Sequence, residues 1–274
     1  MSRFDDILLF CEDKAQGTTV RLLEFAVQAL RRDLPLASSV EPRAVGSKSN
    51  VKVRFHFARH DGLRAFAVRD RDFLERSLLD KHRKSAIAPG LNPEAWPLRR
   101  HCIESYLIEP AFLAALVPGR TIAEWEALLE ELAQARRWLD LTRAALIAAR
   151  FQMTRLEWPS ADLLVSTRDQ AVTEIARQCE KMSDVAQSAL NESTVCAKLE
   201  ALEKDFADDG PLAHRVDGRK LLTALGARLS SEGLEPKGGL GPALMGHAER
   251  NGCPRPLLDE VRAVLEGIVH ALAP

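Results

Sequence analysis

The chain has 274 residues, 46% hydrophobic and 28% charged, with a formal net charge of −1. That is enough apolar material for a substantial core, and every apolar stretch meets a charge before the ~18 residues a membrane helix needs, so no membrane partner is expected. Cys11, Cys102, Cys179, Cys196 and Cys253 are odd in number and widely spaced, without a Cys-x-x-Cys pair, which argues against a disulfide framework and against a zinc site.

Met1 to Asp6 lead directly into an apolar run without the long apolar core of a signal peptide, and a cytoplasmic protein is expected. The run, Ile7 to Cys11, reads as a buried strand closed by Glu12. Val20, Leu23, Val27 and Leu30 recur at helical spacing, giving an amphipathic helix that ends near Asp33. A second strand is expected around Ser39 to Val45, then the small-residue turn Gly46-Ser47-Lys48-Ser49-Asn50 and a short helix from Val51 to Arg59. Asp61-Gly62 turns the chain into an apolar strand, Ala65 to Val68, which closes on Asp70-Arg71-Asp72. Leu74 to Lys84 reads as a charged, mobile segment, and Pro93 and Pro97 bracket Trp96 in a loop. A further strand is expected from Leu98 to Ile103, with Glu104 at its end.

Beyond Pro118-Gly119 the pattern becomes helical: Ile122 to Met153, Gln170 to Leu190, Ser193 to Phe206 and Gly218 to Leu229, then a Gly/Pro-rich segment from Gly233 to Pro256 and a last amphipathic helix, Leu257 to Leu272. The expected organisation is an α/β module over residues 1–118 with a helical region over 119–274, and no fixed-period repeat.

Side chains alternate along a strand, which sets Asp70 and Asp72 on one side. If their strand neighbours the first in a parallel sheet, Glu12 projects from the same carboxyl-end edge, where open α/β sheets bind ligands. Three oxygen donors without nitrogen or sulfur favour Mg²⁺ or Mn²⁺. The alternative for a lone Asp-x-Asp is a helix cap or a solvated loop. From Arg43 to His101 there are 14 Lys and Arg against 6 Asp and Glu, a surplus of eight beside the acidic motif. Such a surplus suits a nucleic-acid polyanion held next to a metal, or else solvated helix faces.

Glu12 closing the first strand, Asp70-Arg71-Asp72-Phe73 closing a later one, Ile103-Glu104-Ser105-Tyr106-Leu107, Gly46 to Val51, and Asp217-Gly218-Arg219-Lys220-Leu221-Leu222 together resemble signatures of the TOPRIM fold. The nearest branch is the compact one with a helical C-terminal part, related to OLD-family nucleases and to the TOPRIM effector of the PARIS anti-phage system. The resemblance implies a TOPRIM-like parallel sheet flanked by helices and a metal-dependent nuclease. Glu12, Asp70 and Asp72 carry over as the acidic triad, with Glu104 as a further ligand or its support. In the PARIS-type relatives the target is tRNA and an ATPase partner holds the effector silent. One departure is that Asp13 and Lys14 follow Glu12 where the family usually has glycine, so Asp13 is either an outer carboxylate or a sign of altered turn geometry.

Phosphodiester cleavage needs an activated nucleophile and charge stabilisation, which one or two Mg²⁺ ions provide. Asp70 and Asp72 would hold the ion, and Glu12 either completes the coordination or accepts the proton of the attacking water or 2′-hydroxyl. Lys48 either reaches the scissile phosphate as a point charge or is a solvated loop lysine. Arg71 points to the opposite sheet face and is structural, whereas Arg99 and Arg100 are candidates for the nucleic-acid backbone. Tyr106, the sole tyrosine, reads as packed, which argues against a topoisomerase, and the seven histidines show no ligand spacing. Two other readings remain: a non-enzymatic module whose helices form a homodimer or ATPase interface, and a phosphotransferase, disfavoured because no Gly-x-x-x-x-Gly-Lys-Ser/Thr loop is present.

Overall fold

The computed structural model of the protein describes residues 6–72, 74–87, 95–149, 165–181, 192–208 and 210–272. Its first part alternates strand and helix: β1 (Ile7–Cys11), α1 (Thr18–Leu30), β2 (Val40–Ala44), α2 (Lys48–His60), β3 (Ala65–Arg69), α3 (Arg76–Ile87) and β4 (Trp96–Pro97). The four strands form a parallel sheet in the order β2-β1-β3-β4. β1 is apolar at every position and sits centrally, as a strand covered on both faces must. Its neighbour β3 runs in register with Cys11 opposite Val68, so the two chains leave the sheet side by side at the same edge.

Alternation divides the sheet's apolar residues between two cores. Phe10, Ala65 and Ala67 pack with Val51, Phe55 and Ala58 of α2. Ile7, Leu9, Cys11, Phe66 and Val68 face the larger core. That core is continuous with the helical part: α4 (Glu104–Leu107), α5 (Pro110–Leu116), α6 (Ile122–Ala149), α7 (Arg168–Lys181), α8 (Glu192–Asp208), α9 (Gly218–Ser231), α10 (Leu240–Asn251) and α11 (Arg255–Leu272). α11 buries Leu257, Val261, Val264, Leu265 and Ile268 along one stripe and lies on α1 and α3. α6 is wrapped by α5, α7, α8 and α9, and from Leu139 to Leu146 it is buried nearly all round, including Asp140 and Thr142. Among the described residues no helix is long and apolar enough to cross a membrane.

Four expectations change. The strand expected over Leu98–Ile103 is the two-residue β4, placed earlier at Trp96–Pro97. Leu98 N–H still donates to the Arg69 carbonyl, but the carbonyl of Arg99 is taken by the Arg71 guanidinium and His101 N–H by the His214 carbonyl, so the chain turns off the sheet. Leu74–Lys84 is largely helical, since Leu79, Arg83 and Ala86 of α3 are buried and Arg83 bonds the Pro97 carbonyl and Glu260. The short helix begins at Lys48, three residues early. The Gly/Pro-rich segment holds α10, whose flanking Gly239 and Gly252 adopt φ of 93° and 92° and so punctuate the helix rather than prevent it. Residues 150–153, 182–190 and Pro93, included in expected elements, lie outside the described residues.

Candidate metal centre

Glu12 follows the last residue of β1, and Asp70 follows the last residue of β3. Because these strands are parallel neighbours, the two acids leave the same edge. Asp70 is 7% exposed; its Oδ1 accepts from Ile103 N–H at 3.2 Å and its Oδ2 from Arg219 Nη2 at 2.9 Å. Burial, then the charges of Glu104, Asp72 and Glu12, push its carboxyl up to about 8, against the opposing pull of Arg219. The other three expected acids therefore all act on Asp70. Asp72 sits at φ 51°, in the left-handed region, with its N–H donating to the His101 carbonyl. The strand has already ended at Arg69, so a turn, rather than strand alternation, sets its position.

Glu104 opens α4 and accepts from Arg219 Nε at 2.8 Å. Arg219 thus bridges Glu104 and Asp70, and those two acids hold its guanidinium above the usual range although burial acts to lower it. The ligating atoms of Glu12, Asp70, Asp72 and Glu104 do not form a set within 4.8 Å of one another; among the described residues that distance is met by His101, Cys102 and Asp217.

Asp13 is a helix cap. Its Oδ2 accepts from Thr19 N–H (2.6 Å) and Val20 N–H (3.2 Å), in the first turn of α1, where the preceding residue, Gly17, has no side chain to do so. A Cβ on Gly17 would stand 1.7 Å from the Asp13 carboxylate. The aspartate after Glu12 is thus a cap reaching in from outside the helix. Gly46 N–H donates to the Asp13 carbonyl, which brings the turn leading to Lys48 against the loop after β1. The Lys48 side chain lies outside the described residues.

Three chain segments each contribute lining residues to two cavities. The smaller, about 310 Å³, is lined by Asp70, Asp72, His101, Cys102, Asp217 and Arg219 among others. The larger, about 630 Å³, is lined by Arg71, Arg76, Arg99, Arg100 and Arg215, together with Asp80, Asp259 and Glu260. The Asp-Arg-Asp motif therefore supplies acids to one cavity and a cation to the other. Arg71 is fixed by the carbonyls of Leu74 and Arg99, in keeping with a structural role. The Arg99 side chain is 72% exposed, whereas Arg100 is buried and bonded to Glu109 and the Ser105 carbonyl. Arg59 and Arg83 also direct donors at backbone carbonyls, so part of the basic surplus is internal. Tyr106 is 1% exposed, donates to Glu260 at 3.4 Å and accepts from Arg100 N–H, which fits a packed aromatic.

Sequence reasoning gave no metal role to His101, Cys102 or Asp217, although Asp217 opens one of the signatures quoted for the resemblance. The adjacent His-Cys pair was the available signal, and its third member lies far along the chain. No family model, no curated protein and no solved structure matches the chain.

Proposed function

We propose that the protein is a divalent-metal-dependent endonuclease of the TOPRIM class, cleaving RNA (tRNA-like) or DNA as a toxic effector in anti-phage defence. The observation that carries this reading is Asp70: a carboxyl at the sheet's carboxyl-end edge, raised first by its burial and then by Glu104, Asp72 and Glu12, with a guanidinium already lying across Asp70 and Glu104 as a cation would. An all-oxygen donor set fits Mg²⁺ or Mn²⁺, which would supply an activated nucleophile and charge neutralisation at the phosphate. Asp70, Asp72 and Glu104 would have to draw together to hold the ion, with Arg219 withdrawn, because their oxygens do not stand within 4.8 Å of one another, and Glu12 would complete the set or take the nucleophile's proton. Arg99, exposed at the rim of the arginine-lined cavity, would steady the substrate's phosphates.

The purified full chain, incubated with labelled RNA and DNA and Mn²⁺, is expected to cleave one of them, and D70N/D72N or E12Q to lose cleavage with the fold intact. Asn is preferred to Ala at position 72 because it tolerates left-handed backbone. Undiminished cleavage by the purified double variant removes the proposal.

A second reading is a non-enzymatic TOPRIM-like module docking to an ATPase partner. It is favoured by the same Arg219, which neutralises Asp70 and Glu104 without any metal. Metal binding without turnover on either nucleic acid would select it.

A further inference from the structure

We propose that His101, Cys102 and Asp217 form a site for a borderline divalent transition ion of the zinc class, distinct from the Glu12/Asp70/Asp72 carboxylates. One ligating atom from each residue lies within 4.8 Å of the other two, and all three line the same 310 Å³ cavity. Imidazole nitrogen, thiolate sulfur and carboxylate oxygen are the donors zinc takes, whereas Mg²⁺ takes oxygen alone. Three protein donors leave a fourth tetrahedral position for water or a ligand from the cavity.

The donors are held in place by the packing of distant segments. His101 N–H donates to the His214 carbonyl at 3.0 Å, and the His101 carbonyl accepts from Asp72 N–H at 2.8 Å, which fixes the backbone between two segments. Asp217 N–H is held by Asp140 of α6 at 2.9 Å. The Asp217 carboxylate accepts from Arg219 N–H and Lys220 N–H on Oδ1 and from Arg143 on Oδ2, which fixes its orientation at the start of α9. Gly218 brings the start of α9 onto Cys102: a Cβ there would stand 2.9 Å from the sulfur and 2.2 Å from Ser105 Oγ. Binding displaces the Cys102 thiol proton to solvent and leaves a thiolate on the ion.

This site does not rest on the nuclease reading, and its test needs no substrate. The metal-free full chain is titrated with Co²⁺ and followed by absorption. One equivalent should produce visible ligand-field bands and a near-ultraviolet thiolate-to-cobalt charge-transfer band. C102S should lose the charge-transfer band, and H101Q should weaken binding by about 100-fold or more, beyond the cost of losing an outer-shell partner. D70N/D72N should keep the band, which separates this site from the carboxylates. Circular dichroism checks each variant's fold, and H101Q decides the matter if C102S does not fold. A cobalt complex with no thiolate band, or a band that survives C102S and so belongs to Cys11, Cys179, Cys196 or Cys253, overturns the proposal.

Discussion

Arg219 donates from Nη2 to Oδ2 of Asp70 at 2.9 Å, across 149 positions of sequence. The same guanidinium holds Glu104 from Nε, so one cation of α9 ties Asp70 at the sheet edge to Glu104 at the start of α4. Removing it should leave Asp70 and Glu104 side by side without their shared donor and open to any competing cation.

Arg219→Gln is therefore expected to destabilise the protein by ~1–2 kcal/mol, kept small because the Arg219 side chain is 57% exposed and solvent screens the pairs. This corresponds to a melting temperature lower by about 2–8 °C. Mn²⁺ should restore more stability to the variant than it adds to the wild type, measured by thermal unfolding with and without the ion. An equal or smaller Mn²⁺ shift in the variant means that Arg219 and the metal do not compete.

The raised carboxyl of Asp70 makes stability depend on pH. Folded Asp70 keeps its proton up to about pH 8, while in the unfolded chain it ionises near the ordinary value of 3.8. Between those values the folded state binds more protons, so this contribution is fully present below pH 3.8 and is lost as pH rises through about 8. Asp70→Asn, which cannot ionise, should flatten that decline in urea unfolding measured from acid to mildly alkaline pH. An unchanged slope would assign the decline to other groups.

Asp13 and Gly17 work as a pair at the start of α1. Asp13→Ala removes the acceptor for two first-turn N–H groups and should cost ~1–2 kcal/mol. Gly17→Ala should also destabilise, because its Cβ would displace the Asp13 carboxylate, and the two losses should fall short of additive in the double variant. Chemical denaturation of the four proteins measures this coupling.

Glu260, 3% exposed on α11, accepts from Arg83 of α3, Trp96 of β4 and Tyr106 of α4. Glu260→Gln leaves the Arg83 guanidinium buried without its counter-charge and is expected to cost ~3–5 kcal/mol. The double change Arg83→Met with Glu260→Leu should lie closer to wild type than Glu260→Gln does, as read from urea midpoints with unchanged slopes.

The sheet edge was legible in the sequence because its signals are local. Apolar runs of strand length, helical spacing after them, and a carboxylate just past each of two runs define β1, α1 and β3 without reference to anything distant, whereas the shared edge follows from the parallel pairing of β1 with β3. β4 and α3 were misread for the same reason in reverse. Arg83 is charged in sequence but buried in the fold, and Leu98 to Ile103 begins and ends on apolar residues, yet its Arg99 carbonyl and His101 N–H are claimed by Arg71 and His214.

By itself, then, the sequence determined the alternating strands and helices, the helical character of the second part and a carboxylate just past each of β1 and β3. Only the tertiary structure decided what each acid faces: Asp13 the amides of α1, Asp70 and Glu104 the guanidinium of Arg219, and Asp217 the imidazole and thiol of His101 and Cys102. The reason is range. Periodicity is set by neighbours a few residues apart, whereas a buried polar group takes its partner from whichever distant segment packing brings to it.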